Sequence, residues 1–187
     1  MCLYMDMPSP VGILTVVSDS GGSAVKAVWI CGQRFHGKQF FGSEELVEKT
    51  CPLLRETAYW LEQYFAGKRP DPCDLPLDPD GSDFRKEVWS ILRGIPYGEV
   101  ITYGDIAGEI AERHEKNKMS AQAVGGAVGH NPISIIIPCH RVIGANGNLT
   151  GYGGGIRTKI FLLELERVNI SRMYVPAHGT ALRGGSL

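Results

Sequence analysis

No stretch of this 187-residue chain approaches the roughly 18 consecutive apolar residues of a membrane-crossing helix, which argues against a membrane partner. Residues 1–10 carry neither a basic leader nor a clean apolar core, so no secretory signal is expected. Cysteine is scarce and odd in number: Cys2, Cys31, Cys51, Cys73 and Cys139 are widely spaced, with no Cys-x-x-Cys pair. That pattern predicts free thiols in a reducing, cytoplasmic setting rather than a disulfide framework. Cys2, Cys31 and His36 match no common zinc spacing, so no metal is expected. The stretch Gly151-Tyr152-Gly153-Gly154-Gly155 lacks the Gly-Lys-Ser/Thr of a phosphate loop and reads as a flexible loop whose N–H groups can face a ligand. Repeats and low-complexity tracts are absent, and 43% apolar content leaves a globular chain of one domain or two small ones.

Net charge is also nearly missing, at −1, which by itself does not suggest nucleic acid. Its distribution is uneven. Residues 1–83 hold seven Lys/Arg against twelve Asp/Glu, whereas residues 84–167 hold ten against eight. Between Lys116 and Leu163 stand Lys116, Lys118, Arg141, Arg157 and Lys159, and no acid at all. A weakly basic, acid-free face suits a phosphate backbone. Five charges alone describe no more than a polar face; the segment matters because Cys139 lies inside it.

What is present reads as an α+β chain. Residues 1–80 form an α/β domain with a linker at about 68–82, residues 83–170 form a mainly helical domain, and residues 171–187 form a tail. Residues 11–18 and 24–30 are rich in β-branched side chains and flank Asp19-Ser20-Gly21-Gly22, a hairpin signal. From Glu44 to Phe65 apolar residues recur at three and four, predicting a helix capped by Ser43 and stopped at Gly67. Residues 70–81 are too rich in proline and aspartate for either regular element. Beyond them, Ser82 or Asp83, Thr102 and Ser120 each cap a predicted helix, the last two making a helix-turn-helix. The third of these helices carries Gly125, Gly126 and Gly129, at about 1 kcal/mol each against alanine, explained either by close helix packing or by close approach to DNA. Asn146-Gly147 signals a hairpin that would form a wing, and a final helix covers about 156–167.

The segment Ile135-Ile136-Ile137-Pro138-Cys139-His140-Arg141-Val142 ends an apolar, strand-like run at a proline, then sets a histidine and an arginine beside a cysteine. Thiolate is the nucleophile, and a free cysteine, with a pKa of roughly 8.5, is mostly protonated at neutral pH. A base acting through a water changes that. As a dipeptide, Cys-His is more often just a buried cysteine at a strand end.

Taken whole, the octet resembles the active-site motif of the O6-alkylguanine-DNA alkyltransferases. Further pieces follow in that family's order: Val88-Trp89, Ile95-Pro96-Tyr97-Gly98, Thr102-Tyr103, Ala123-Val124-Gly125-Gly126-Ala127, Asn131-Pro132 and Gly151-Tyr152. The likeness runs from about Phe84 to Val168; before that only general character agrees. It implies a ribonuclease H-like antiparallel sheet in the first domain and a winged helix-turn-helix in the second. It further implies irreversible transfer of the alkyl group of O6-alkylguanine, and of O4-alkylthymine, to Cys139, without a cofactor. The implied partner is double-stranded DNA bearing alkylated bases, bound through its minor groove by a monomer that flips the damaged nucleotide. Carried over by position, Cys139 is the acceptor, His140 the base, Glu166 the carboxylate that orients it, Asn131 the tie between recognition helix and active-site turn, and Tyr103 the donor to the guanine ring. The Cys139 and Val142 carbonyls, Tyr152 and the Gly153 N–H would line the base pocket, while Lys159 would lower the thiol pKa. Thr102, Ser120, Ala121, Gln122, Ala123, Gly125 and Arg141 would meet DNA.

Two positions depart from the pattern. Gln122 stands where the family typically has an intercalating arginine, which predicts weaker and less salt-sensitive DNA binding. Ser134 stands where some members have proline. Non-reacting damage sensors related to the family lack the cysteine, and Cys139 argues against that reading.

Overall fold

The computed structural model describes residues 1–33 and 45–176. Ser43, His36 and His178 lie outside them. The chain divides into two compact units, Met1–Asp80 with Pro132–Ile137, and Gly81–Asn131 with the chain from Pro138.

The first unit is a sheet of β1 (Cys2–Ser9), β2 (Gly12–Asp19), β3 (Val25–Ile30) and β4 (Leu46–Glu48), in the order β3-β2-β1-β4. β1 pairs with β2 from Cys2↔Asp19 to Ser9↔Gly12, and β2 pairs antiparallel with β3. Asp19 closes the second turn by accepting from Ser23 N at 2.6 Å. β4 departs from the expected antiparallel sheet, because it joins β1 in parallel. It also overturns the helix expected from Glu44. Leu46–Glu48 pairs with the sheet, and helix α1 (Pro52–Phe65) begins only at Pro52. Proline lacks the N–H that a helix interior needs but fits its first turn, so it sets that start. α1 buries Leu53, Leu54, Ala58, Trp60, Leu61 and Tyr64 and packs on β1 and β2.

The Pro/Asp-rich stretch is tied down within this unit. Val25 N donates to Pro76 O (2.8 Å) and Asp78 N to Val25 O (2.9 Å). Lys26 Nζ reaches Asp78 at 2.7 Å and Asp80 at 2.9 Å. The edge of β3 is thereby covered, which removes a template for strand addition.

The apolar run before the cysteine is not a strand. Val28 N donates to Pro132 O and Ser134 N to Val28 O, both at 3.0 Å, and then the chain folds into a tight turn with Ile137 N on Ile133 O (3.0 Å). Ile135 sits at φ 73, a conformation that costs a β-branched residue roughly 1–3 kcal/mol. Complete burial of Ile133, Ile135, Ile136 and Ile137 offsets that strain, so burial overrides strand propensity here. Ser134 donates its hydroxyl to Gln33 (3.2 Å) as well as its N–H to Val28, a bond no proline could make.

The second unit holds α2 (Asp83–Arg93), α3 (Tyr103–Arg113), α4 (Ala121–Gly129) and α5 (Ile156–Leu165). Each of the first three starts at an oxygen-bearing cap: Ser82 accepts from Arg85 N, Thr102 forms a capping box with Asp105, and Ser120 accepts from Ala123 N. α3 and α4 form the helix-turn-helix, and Trp89 of α2 ties to α4 through Nε1 on Ala127 O at 2.9 Å. Two short strands, β5 (Ile101–Thr102) and β6 (Val142–Ile143), pair in parallel. After β6, Asn146 (φ 58) and Gly147 (φ 78) make the left-handed tight turn expected of Asn-Gly, with Asn148 N on Ala145 O at 3.3 Å. The flanking segments pair only at Gly144↔Asn148, and Tyr174 bridges to Asn148 from the other side. Ile143, Leu149 and Leu163 form the core beneath.

Candidate active site and nucleic-acid face

Cys139 opens a 3-10 turn, Cys139–Arg141, directly after Pro138. The sulfur-bearing side chain is 6% exposed. Burial pushes the thiol pKa up; a hydrogen bond from the Asn131 side chain, the Lys159 charge and the N–H groups of Cys139 and His140 act against that. The site therefore rests as a thiol and holds several groups ready to receive the anion.

His140 Nε2 lies 2.6 Å from Glu166 Oε1, both side chains fully buried. A carboxylate on Nε2 places the ring proton there and leaves Nδ1 as the acceptor nitrogen. Burial lowers the His140 pKa, the Glu166 contact opposes this, and Arg141 and Lys159 add to the lowering. The ring is consequently a neutral base rather than a cation.

Glu166 caps the end of α5, and its carboxylate is saturated with donors. Oε2 accepts from Arg141 Nε (2.8 Å) and Gly98 N (3.1 Å), and Oε1 accepts from Arg141 Nη2 (3.0 Å) besides His140. Burial alone would raise its pKa, but His140 and Arg141 hold the carboxyl well below the usual carboxylate range.

Arg141 corrects the sequence reading. Expected to meet DNA, it is 6% exposed, bidentate on Glu166, with Nη1 on Ile95 O at 2.6 Å and its guanidinium 5.7 Å from the Tyr97 ring centre. It turns inward because a buried carboxylate without a cation is expensive. Ile95-Pro96-Tyr97-Gly98 gains a purpose at the same time: one carbonyl, one ring and one N–H of this helix break grip the Arg141–Glu166 pair. Sequence reasoning missed that grip, although two helix-breaking residues between two capped helices were its signal.

Lys159 is fully buried, and Nζ donates to Val142 O (2.6 Å) and Thr150 O (2.8 Å). Burial lowers its pKa to about 8, with Cys139 opposing. The Val142 carbonyl, expected to accept from a guanine amine, is thus already held by Lys159, which leaves it one lone pair. Tyr103 opens α3 and donates to Thr150 O and Gly151 O, both at 3.4 Å. Burial, and then Cys139, raises its pKa, so it remains a phenol able to donate. Gly151 is required there twice over: its φ is 67, and a Cβ would come within 2.8 Å of the Tyr103 hydroxyl. Tyr152 stands edge-on to His140 with ring centres 6.4 Å apart, and its enclosed hydroxyl has no hydrogen-bond partner among the described residues. Gly153 follows in the same half-buried loop.

α4 presents Ala121, Gln122, Ala123, Gly126 and Gly129 outward and buries Val124, Ala127 and Val128. A Cβ on Gly126 or Gly129 would meet nothing within 4 Å, so helix packing does not account for them. Gly125 differs, since its Cβ would touch the Tyr103 ring at 3.8 Å. Ser120 is exposed beside this face, whereas Thr102 is half-buried and engaged with Asp105. Of the five cations in the acid-free segment, Arg141 and Lys159 are buried, and Lys116, Lys118 and Arg157 remain outside.

Residues 83–168 match the DNA-binding domain of 6-O-methylguanine DNA methyltransferase. The chain is 41% identical over 165 residues to a methylated-DNA–protein-cysteine methyltransferase of Haemophilus influenzae, covering 88% of this chain and 86% of that one. It is 53% identical over 167 residues to the protein of the same name from Mycolicibacterium paratuberculosis, covering 89% and 93%. Its fold is similar to that of Mycobacterium tuberculosis OGT in complex with DNA, with a TM-score of 0.73 and 40% identity over 91% of this chain and 94% of that one. Among the described residues no helix is long and apolar enough to cross a membrane.

Proposed function

The chain belongs to the methylated-DNA–protein-cysteine methyltransferase family, and from that premise we propose that it repairs alkylated duplex DNA by moving the alkyl group onto its own Cys139. The observation that carries this reading is the buried set Cys139, His140 and Glu166, in which a neutral His140, next in sequence to the nucleophile, is clamped by a carboxylate 2.6 Å away. It is triad logic with a thiol.

The Cys139 proton passes through a water to His140, and the thiolate attacks the alkyl carbon of O6-alkylguanine. The S–C bond forms as the C–O6 bond breaks, and the electron pair leaves with the base. Tyr103, kept protonated by burial, donates to the guanine ring nitrogen as that charge builds. Tyr103 keeps its proton; the proton taken up by His140 returns through water to the guanine anion, so neutral guanine leaves and no cofactor is required. A thioether has no route back to a thiol, so each protein acts once.

The target carbon is out of reach inside a stacked duplex, and the nucleotide must be flipped at a cost of a few kcal/mol. The outward small-residue face of α4 suits entry as a monomer into the minor groove. The loop through Tyr152 and Gly153 lines the pocket, where the unpartnered Tyr152 hydroxyl awaits a polar group. O4-alkylthymine offers the same leaving-group chemistry.

Intact mass spectrometry after mixing with excess duplex containing one O6-methylguanine tests the reading. One methyl gained in place of hydrogen, confined to the Cys139 peptide and absent in Cys139→Ala, is the expected result. Tight binding without mass gain would replace it with a damage-sensing role.

A further inference from the structure

The connection between α3 and α4 spans residues 114–120, whereas a helix-turn-helix commonly turns in three or four. The connection's first three residues are bonded back onto α3. His114 N, Glu115 N and Lys116 N donate to Ile110 O, Glu112 O and Ala111 O at 3.1, 3.1 and 2.8 Å. The His114 ring is held 2.9 Å from Glu87. Lys116 and Lys118 project into solvent, and neither enters an ion pair among the described residues. Glu112 and Glu115 are the acids of this stretch, and Glu109 is taken by Arg113 at 2.5 Å.

Together with the lysines, Gly104, Ala107, Gly108, Ala111 and Glu112 of α3 line an open groove, with Glu112 its one acid. Gly108 is exposed within the helix, where glycine costs about 1 kcal/mol against alanine. A Cβ there would meet nothing within 4 Å, so packing does not demand it. The wall is low enough for a bulky backbone to approach. Ser120 and Ala121 line the groove's far end and open α4, making it continuous with the face assigned to DNA. α4 itself carries no Lys or Arg. Two of the three exposed cations of the acid-free segment stand on this connection instead.

We propose that the lengthened connection between α3 and α4 grips the sugar–phosphate backbone of the bound DNA, with Lys116 and Lys118 each neutralising a phosphate. The proposal rests on the DNA-repair reading above and extends it. The connection supplies the charge that the recognition helix lacks, with Gln122 in place of a cation.

The test compares the parent with Lys116→Gln/Lys118→Gln by fluorescence anisotropy on a labelled duplex at 50–200 mM KCl. Free O6-benzylguanine base, scored by intact mass, reports the Cys139 chemistry without DNA. With slopes near 0.9 per phosphate, the variant's dependence of log Kd on log salt should flatten by about 2, and affinity should fall roughly tenfold at 100 mM, with free-base transfer unchanged. A control pair in the first unit, Lys49→Gln/Lys68→Gln, should leave both binding measures at parental values. Unchanged slope and affinity in the loop variant, or an equal loss in the control pair, overturns the grip while DNA repair stands. A parent that reacts with the free base yet binds no duplex overturns both.

Discussion

The Glu166 carboxylate, buried and also accepting from Gly98 N, both orients His140 and neutralises Arg141. Glu166→Gln keeps the shape and removes the charge, leaving a buried guanidinium unpaired at a cost of about 3–5 kcal/mol, a fall in Tm of roughly 10 °C. Adding Arg141→Met should restore most of that stability, while alkyl transfer stays slow because the His140 tautomer is no longer fixed. Recovery of the rate together with Tm would show that the carboxylate acts only as a structural anion. Acid should act on the same cluster. His140 has a lowered folded-state pKa, so its contribution is present above the unfolded value, about 6.5, and declines below it. Glu166 is depressed too, and its share is lost as pH falls from about 4.3 toward its lower folded value. Urea midpoints should therefore begin to drop below about pH 6.5 and drop more steeply below about 4.3. A flat profile down to pH 5 in the parent would contradict the buried neutral imidazole. Lys159 gives the alkaline counterpart. Its charge supports the thiolate only while protonated, up to about pH 8. Lys159→Met should therefore slow transfer most at pH 6.5–7.5, with the gap to the parent narrowing above pH 8. A rate ratio independent of pH would assign Lys159 to holding the Val142 and Thr150 carbonyls alone.

At the level of elements, α4 is less stable than its sequence could make it. Gly126 lies exposed on a helix with room for a side chain, so Gly126→Ala should add about 1 kcal/mol and raise Tm by roughly 2–4 °C. The same methyl should weaken duplex binding, because it thickens the face proposed to enter the groove. Anisotropy and melting on one sample check both, and a gain in Tm with undiminished affinity would place DNA elsewhere. The helices of this unit were legible because each announces itself with a capping oxygen, Ser82, Thr102 or Ser120, followed by apolar spacing. Elements decided by tertiary context were not. β1 carries Met and Pro residues that read as no strand, and it is fixed by pairing on both sides, with β2 and β4. The Ile135–Ile137 run has strand propensity yet folds into a turn, since Val28 takes only the Pro132 carbonyl and the Ser134 N–H. Within the site, residue types were legible and directions were not: Arg141 reads as a surface cation until Glu166 is seen buried beside it.

For the molecule as a whole, the two units are not two consecutive pieces of chain. The second unit breaks off at Asn131, residues Pro132–Ile137 belong to the first, and the chain re-enters the second at Pro138 with the nucleophile one residue further on. Within the first unit, residues 132–137 are held by β3 through the two 3.0 Å bonds at Val28, and by the burial that keeps Ile135 in a left-handed conformation. A fragment of residues 81–176 retains Cys139, His140, Glu166, Lys159 and the helix-turn-helix, but it loses Val28. Pro132 O and Ser134 N would then have no ladder partner, at about 1 kcal/mol each, and nothing would oppose the roughly 1–3 kcal/mol of strain at Ile135. That fragment should melt well below the full chain and transfer the benzyl group of free O6-benzylguanine at least tenfold more slowly, with no DNA present to confuse binding with chemistry. Should it instead match the full chain in both measures, the turn before Cys139 would be self-sufficient, and the strand pairing with Val28 would be a consequence of the site's shape rather than one of its causes.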